Sequence, residues 1–292
     1  MTKTLTLTKE GNVKYLLLII IAICFLATGG IFVKLSTVPP VMTGFYRVLF
    51  SLPILFPVVK KNLSKIDKKD FILILLAGVF LACDLILWNI SFHLTTVANS
   101  NLLANLVPFT IVPISYFIFK EKIPKLFFLG LGIVLMGVIL LMYGKINPNT
   151  ENYKGDLLAF LTSIFYALFL LTVYKVRKRV KSLDIMFISG LSSCLVLLIA
   201  GLTMEKIKIP LTFTDFYPLI GLAFVSQIGG QGLLSYCLGK VSVTLSSVLI
   251  LSQPVIGAIY SFIIFNERLS SLEILGVFIT LIGIFISKKG YN

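Results

Sequence analysis

The sequence predicts an all-α integral membrane protein of ten transmembrane helices, arranged as two inverted five-helix repeats. Three observations carry that expectation. The 292 residues are 58% hydrophobic and only 13% charged, where a soluble domain has about 25% charged residues. Ten apolar stretches are each long enough to cross a hydrocarbon layer about 30 Å thick, which takes about 20 helical residues. The chain also resembles itself when shifted by 146 residues. Such a composition excludes an ordinary soluble enzyme, and four scattered cysteines exclude a small disulfide-built scaffold.

The first crossing is expected near 15–35. Its apolar run exceeds the roughly 7–15 residues of a signal-peptide core. It ends at Lys34 without a small-residue cleavage site, so it reads as a retained helix. The second, near 41–59, follows the helix-breaking VPP of 38–40, and the charged run KKNLSKIDKKD (60–70) separates it from the third, near 71–90. The fourth and fifth lie near 97–119 and 125–143, before INPN (146–149). The sixth, near 155–175, stops at KVRKRVK (175–181). The last four lie near 185–204, 216–238, 243–265 and 271–287. The halves are thus 1–146 and 147–292, with no room between crossings for an extramembrane domain. Alternating ten-residue strand patterns are absent, so helices and not a barrel satisfy the backbone in lipid.

Charge placement sets the orientation. With the N-terminus in the cytoplasm, nineteen Lys and Arg fall in cytoplasmic segments. Six fall on the other side: Lys34, Lys145, Lys154, Lys206, Lys208 and Arg268. The positive-inside rule then puts both termini in the cytoplasm, for a multi-pass protein of the plasma (inner) membrane. The net charge of +14 is therefore a topology signal facing anionic lipid, and nucleic acid is not an expected partner.

The repeat lays 95–138 over 241–284 without a gap, and 14 of 44 positions are identical. Shared apolar composition alone gives about four. The matches include Pro108/Pro254, Phe119/Phe265, Glu121/Glu267, Gly130/Gly276 and Gly137/Gly283. Five crossings separate the copies, an odd number, so the halves enter the membrane in opposite senses. Inverted repeats of this kind characterise secondary transporters, whose site lies near the midplane between halves that rock around it.

Three longer stretches carry a family resemblance: PPVMTGFYRVLFSLPILFP (39–57), LACDLILWNISFHLTTVANSNLLANLVPFTIVPISYFIFKEKIP (81–124) and SQIGGQGLLSYCLGKVSVTLSSVLILSQPVIGAIYSFIIFNERLS (226–270). In these the chain resembles the EamA-type members of the drug/metabolite transporter superfamily, over nearly its whole length. The resemblance implies ten helices in two five-helix units. It also implies export or exchange of amino acids, related metabolites, nucleotide-linked compounds or drugs. TGG (28–30) departs from the Trp-Gly pair that many members carry there.

Ionisable groups inside a bilayer are costly and usually face a bundle interior or a wet cavity. Two stand well inside a crossing, Arg47 and Asp84, both in the outer half of their helices, with Asp84 about 9 Å below its helix end. They are candidates for a buried pair, either structural or binding opposite ends of a zwitterionic substrate. Three polar pairs have the i, i+4 spacing that puts both members on one helix face: Asp84/Trp88, Asn101/Asn105 and Gln227/Gln231. The amides suit cavity lining, because each offers donors and acceptors without full charge, or interhelical hydrogen bonding. Trp88 equally suits an interfacial anchor. Under the 146-residue shift Asp84 falls on Gly230, beside Gln231, so the halves present different chemistry at related positions. Pro108 and Pro254 are candidate hinges or static kinks.

The paired glycines, seven apart, suit close helix packing. Glu121 and Glu267, next to Lys122 and Arg268, suit a local cap or surface ion pair. His93, the lone histidine, sits at an outer loop, and the cysteines lie singly in four helices. No catalytic residue, metal site or cofactor is expected, and the chain holds no Walker A, HExxH or GxSxG motif. The expectation is a secondary transporter exporting a small organic metabolite, an amino acid or similar amphiphile, by alternating access. Alternatives are an importer or exchanger of nucleoside or cofactor type, a channel, and a membrane-embedded enzyme. The expected partners are a small-molecule substrate and the lipid bilayer, in a monomer or weak homodimer. Proton coupling stays open, Asp84 being the one carboxylate placed to carry a proton.

Overall fold

The computed structural model describes residues 9–59, 66–95, 97–143, 153–265 and 270–291. Among these, nine helical stretches are long and apolar enough to cross a membrane. The first is α1 (Lys9–Leu35), and the second is made of α2 (Pro40–Leu49) and α3 (Leu52–Val59). Then come α4 (Lys68–Leu94), the pair α5 (Val97–Ala104) and α6 (Val107–Phe117), and α7 (Lys125–Tyr143). They are followed by α8 (Tyr153–Val176) and α9 (Ser182–Met204). The eighth expected crossing, 216–238, is built end to end from α10 (Phe213–Gly221), a π-helix (Leu222–Gln231) and α11 (Gly232–Leu238). The pair α12 (Val243–Ile250) and α13 (Gln253–Phe265) and finally α14 (Ser271–Gly290) complete the chain. Glu267 lies outside the described residues.

Three crossings expected to be continuous are broken, and the cause is shared. Pro53, Pro108 and Pro254 are each the second residue of the following half-helix, in α3, α6 and α13. Proline is tolerated in a first turn but disfavours helix in the residue before it, so the chain interrupts there. A polar side chain covers each interruption. Ser51 Oγ donates to the Val48 carbonyl (2.6 Å), Asn105 Nδ2 to that of Asn101 (2.7 Å), and Ser252 Oγ to that of Leu249 (2.7 Å). Each of these carbonyls also accepts the backbone N–H of the same residue, so the side chain adds a second bond at the break.

The helices pack through small residues and a long apolar core. Gly130 and Gly137 of α7 face Gly283, Gly276, Thr280 and Ser287 of α14 so closely that a β-carbon at either would strike the opposite backbone. The α1 helix lies against the π-helix, α11 and α13, while α4 lies against α8 and α9. The α2 helix packs on α9, α5 and α6 on α8, and α12 on α6. The largest core cluster runs through α1, α2, α4, α8 and α9 and includes Ile19, Met42, Leu81, Phe169 and Ile188. Outward-facing Phe117, Phe128, Leu195 and Phe285 are exposed on the protein surface, which in a bilayer means contact with lipid tails.

Polar ties hold the two ends of the bundle. Asp70, in the first turn of α4, receives Arg179 Nε at 2.7 Å and Nη2 at 2.5 Å. At the opposite end Asp215, in the first turn of α10, accepts from Thr37, from Lys208 Nζ (3.0 Å) and from Thr212 (2.7 Å). The Glu205 carboxylate accepts the backbone N–H groups of Val41 and Met42, capping α2. Glu121 differs from expectation. Its carboxylate receives Thr244 Oγ1 (2.7 Å) and the Tyr291 hydroxyl (3.2 Å), a long-range tie where the sequence suggested a local one. The preceding Lys120 adopts a left-handed backbone (φ 53°), which turns the chain after α6 and lets Glu121 N–H return to the Ser115 carbonyl. That reversal aims the acid back at α12.

Candidate functional site

Arg47 lies seven residues into α2, about 10 Å from its start at Pro40. Asp84 is ten residues, about 15 Å, from the Leu94 end of α4. That is deeper than the sequence suggested, because α4 runs on to Leu94, and it brings Asp84 near the middle of its helix. Both side chains are more than nine-tenths buried. Arg47 Nε donates to Gln227 Oε1 at 2.9 Å, joining α2 to the π-helix. Among the described residues Asp84 makes no hydrogen bond and no direct ion pair; it acts on Arg47 through space. The two members of the expected pair are therefore buried in one interior with no ion pair between them among the described residues.

Gln231 ends the π-helix, one turn beyond Gln227, and is 1% exposed. Its Oε1 accepts the hydroxyl of Tyr166 at 3.0 Å, while its Nε2 is buried with no partner among the described residues. Buried polar atoms are nearly always paired, so this one asks for an explanation. Tyr166 belongs to α8, its ring stacks on Phe169, and it lies near enough to Asp84 and Arg47 to feel both charges. The structure thus brings Arg47, Asp84, Gln227 and Gln231 into one cluster and adds Tyr166. π-Helical turns are rare and recur at functional sites, and here one supplies both amides. Gly230, on that turn, lies against α1, where a β-carbon would meet Leu26 at 2.8 Å.

Other residues fall elsewhere. Asn105 Nδ2 donates to the Asn101 carbonyl at the α5–α6 break. Pro108 and Pro254 sit just beyond two such breaks. Trp88 is half-buried, one turn from Asp84, with its ring edge-on to Phe92. The TGG segment meets the π-helix: Thr28 Oγ1 lies 3.2 Å from Ser226 Oγ, one residue from Gln227. Sequence reasoning missed Tyr166 and Asn89, whose Nδ2 donates to the Pro40 carbonyl at 2.9 Å. A polar tip in the middle of an apolar crossing was the available signal for Tyr166. Among the described residues no group of acidic, Cys and His side chains could hold a metal ion.

Long apolar helices that break in mid-course beside prolines and gather polar side chains in the interior fit a membrane transporter. The chain belongs to the EamA-like transporter family, matching it over residues 13–143 and again over 153–288. An uncharacterized transporter of Methanothermobacter thermautotrophicus is 26% identical, with 87% of this chain and 79% of that one aligned. A protein of Escherichia coli named "Probable amino-acid metabolite efflux pump" is 24% identical over 97% of this chain and 95% of its own. A crystal structure at 16% identity superposes with a TM-score of 0.79, over 95% of this chain and 98% of that one. That likeness shows the fold.

Proposed function

We propose that this protein is a secondary transporter exporting a small organic metabolite, an amino acid or similar amphiphile, across the plasma membrane. Its two inverted halves, 1–146 and 147–292, alternate access to the cluster of Arg47, Asp84, Gln227 and Gln231. One observation carries the reading: a basic and an acidic side chain, Arg47 and Asp84, are buried in the same interior with no ion pair between them among the described residues. Buried charges are expensive unless paired or ligated, and a dipolar molecule bound between them relieves both. The sequence repeat and the efflux-pump name of two relatives support the same reading. The broken helices bearing Pro108 and Pro254 supply places where the halves can bend.

Everted membrane vesicles test it, since export in the cell becomes uptake there. The expected result is saturable uptake of a labelled amino-acid mixture. Arg47→Gln and Asp84→Asn should each lower it by at least about tenfold, the cost of one lost charge-assisted contact. Uptake only into right-side-out vesicles would reverse the direction. Two fully active single variants would remove both residues from the site.

A further inference from the structure

A glutamine amide can turn either its oxygen or its nitrogen toward a ligand, and nothing in the side chain itself decides which. At Gln231 the decision is made by α8. The Tyr166 hydroxyl donates to Oε1 at 3.0 Å, which commits the oxygen and leaves Nε2 pointing away, buried and without a partner among the described residues. The phenol is itself held: its ring lies parallel to Phe169 (12°) with centroids 6.1 Å apart, and the neighbouring Ala167 and Leu170 are fully buried. Arg47 is constrained similarly. Its Nε is spent on Gln227, and its remaining guanidinium nitrogens make no hydrogen bond among the described residues. The cluster therefore presents donors from Arg47 and Gln231 and a single strong acceptor, Asp84.

We propose that Tyr166 is a positioning residue that fixes the Gln231 amide with its donor toward the substrate, and that Gln231 and Arg47 together select a carboxylate. This inference rests on the transport reading above and deepens it by assigning the two ends of an amino acid to residues, the carboxylate toward Gln231 and Arg47 and the ammonium toward Asp84. An amine without a carboxylate satisfies Asp84 and leaves two sets of buried donors bare. A carboxylic acid without an amine leaves Asp84 bare. Sites built to hydrogen-bond a group reject analogues lacking it more strongly than apolar pockets reject a changed shape.

The test is competition. Uptake of a labelled mixture of common amino acids into everted vesicles is competed by each unlabelled amino acid, or by the amine left when its carboxylate is removed. In the unmodified protein the amino acids should compete at least about a hundredfold better than their amines. Gln231→Leu should cut that ratio about tenfold. Tyr166→Phe, which removes one oxygen and keeps the stacked ring, should cut it about threefold. Gln231→Glu should shift the preference toward amines. A structural role alone would lower transport of every competitor equally and leave the ratio unmoved. If Gln231→Leu fails to fold, Tyr166→Phe decides, with binding to the purified protein read by thermal stabilisation. No uptake by the unmodified protein overturns the transport reading and this inference with it. Uptake with an unchanged ratio in both variants overturns this inference alone.

Discussion

Asp215 carries hydrogen bonds from Thr37, Thr212 and Lys208 at the start of α10, and these hold its carboxyl below the usual carboxylate range. A carboxyl depressed in this way stabilises the folded protein fully above the value of an unfolded aspartate, about 3.9. The contribution is lost as pH falls toward the lower folded value. Asp215→Asn should therefore melt earlier than the unmodified protein at neutral pH, and the difference should shrink below about pH 4. Thermal unfolding in detergent across that range measures it. At this scale the sequence was informative where a residue type is costly in lipid. Arg47, Asp84 and the two glutamines stand out in any apolar stretch. Glu121 was not legible, because Lys122 stands next to it in the sequence while its actual partners, Thr244 and Tyr291, come from distant segments. The Asn105 bond to its own turn was not legible for a related reason: helical spacing says which face an amide shares and nothing of the carbonyl it meets.

The pairing of α7 with α14 follows from four glycines, and their spacing in the sequence anticipated it. At Gly137 a side chain would have to enter the backbone of Gly276 and Thr280. Gly137→Val should cost about 1–3 kcal/mol, as overpacked interiors do. Gly132→Ala, where a β-carbon meets nothing within 4 Å, should not lower stability. Thermal unfolding of the two purified variants separates these outcomes. Other features of the elements were hidden. The prolines announced some disturbance, but a kink and a full interruption look alike in sequence. The π-helix was invisible because residues four apart share a face in either helical geometry, so Gln227 and Gln231 gave the right face from the wrong period.

The pattern of helix contacts gives the whole molecule a regularity that supports its proposed division into halves. The packing of α4 on α8 has its counterpart in the π-helix on α1, and that of α5 and α6 on α8 in α12 and α13 on α1. Asp70 and Asp215 correspond too. Each opens the third crossing of one half and reaches the segment that follows the first crossing of the other, at opposite ends of the bundle. Epitope tags fused to the two ends of the chain should both be reached only from the cytoplasmic side, as the nineteen-to-six distribution of basic residues requires. Intact cells and everted vesicles, probed in parallel with an impermeant antibody, make that measurement. Composition and the repeat made this level the most legible of the three, since solvent and symmetry act on long segments and average over single residues. Glu205 ties two distant helices of this scaffold together. It follows the last turn of α9, yet its carboxylate grips the opening N–H groups of α2, 164 residues away in the chain for Val41. Helix openings carry bare donors and partial positive charge, so an anion seated there is not readily withdrawn into a nonpolar layer. The two helices accordingly share an anchor point, and in the proposed alternating access a swing of α9 would carry with it the lever on which the Arg47 guanidinium is mounted.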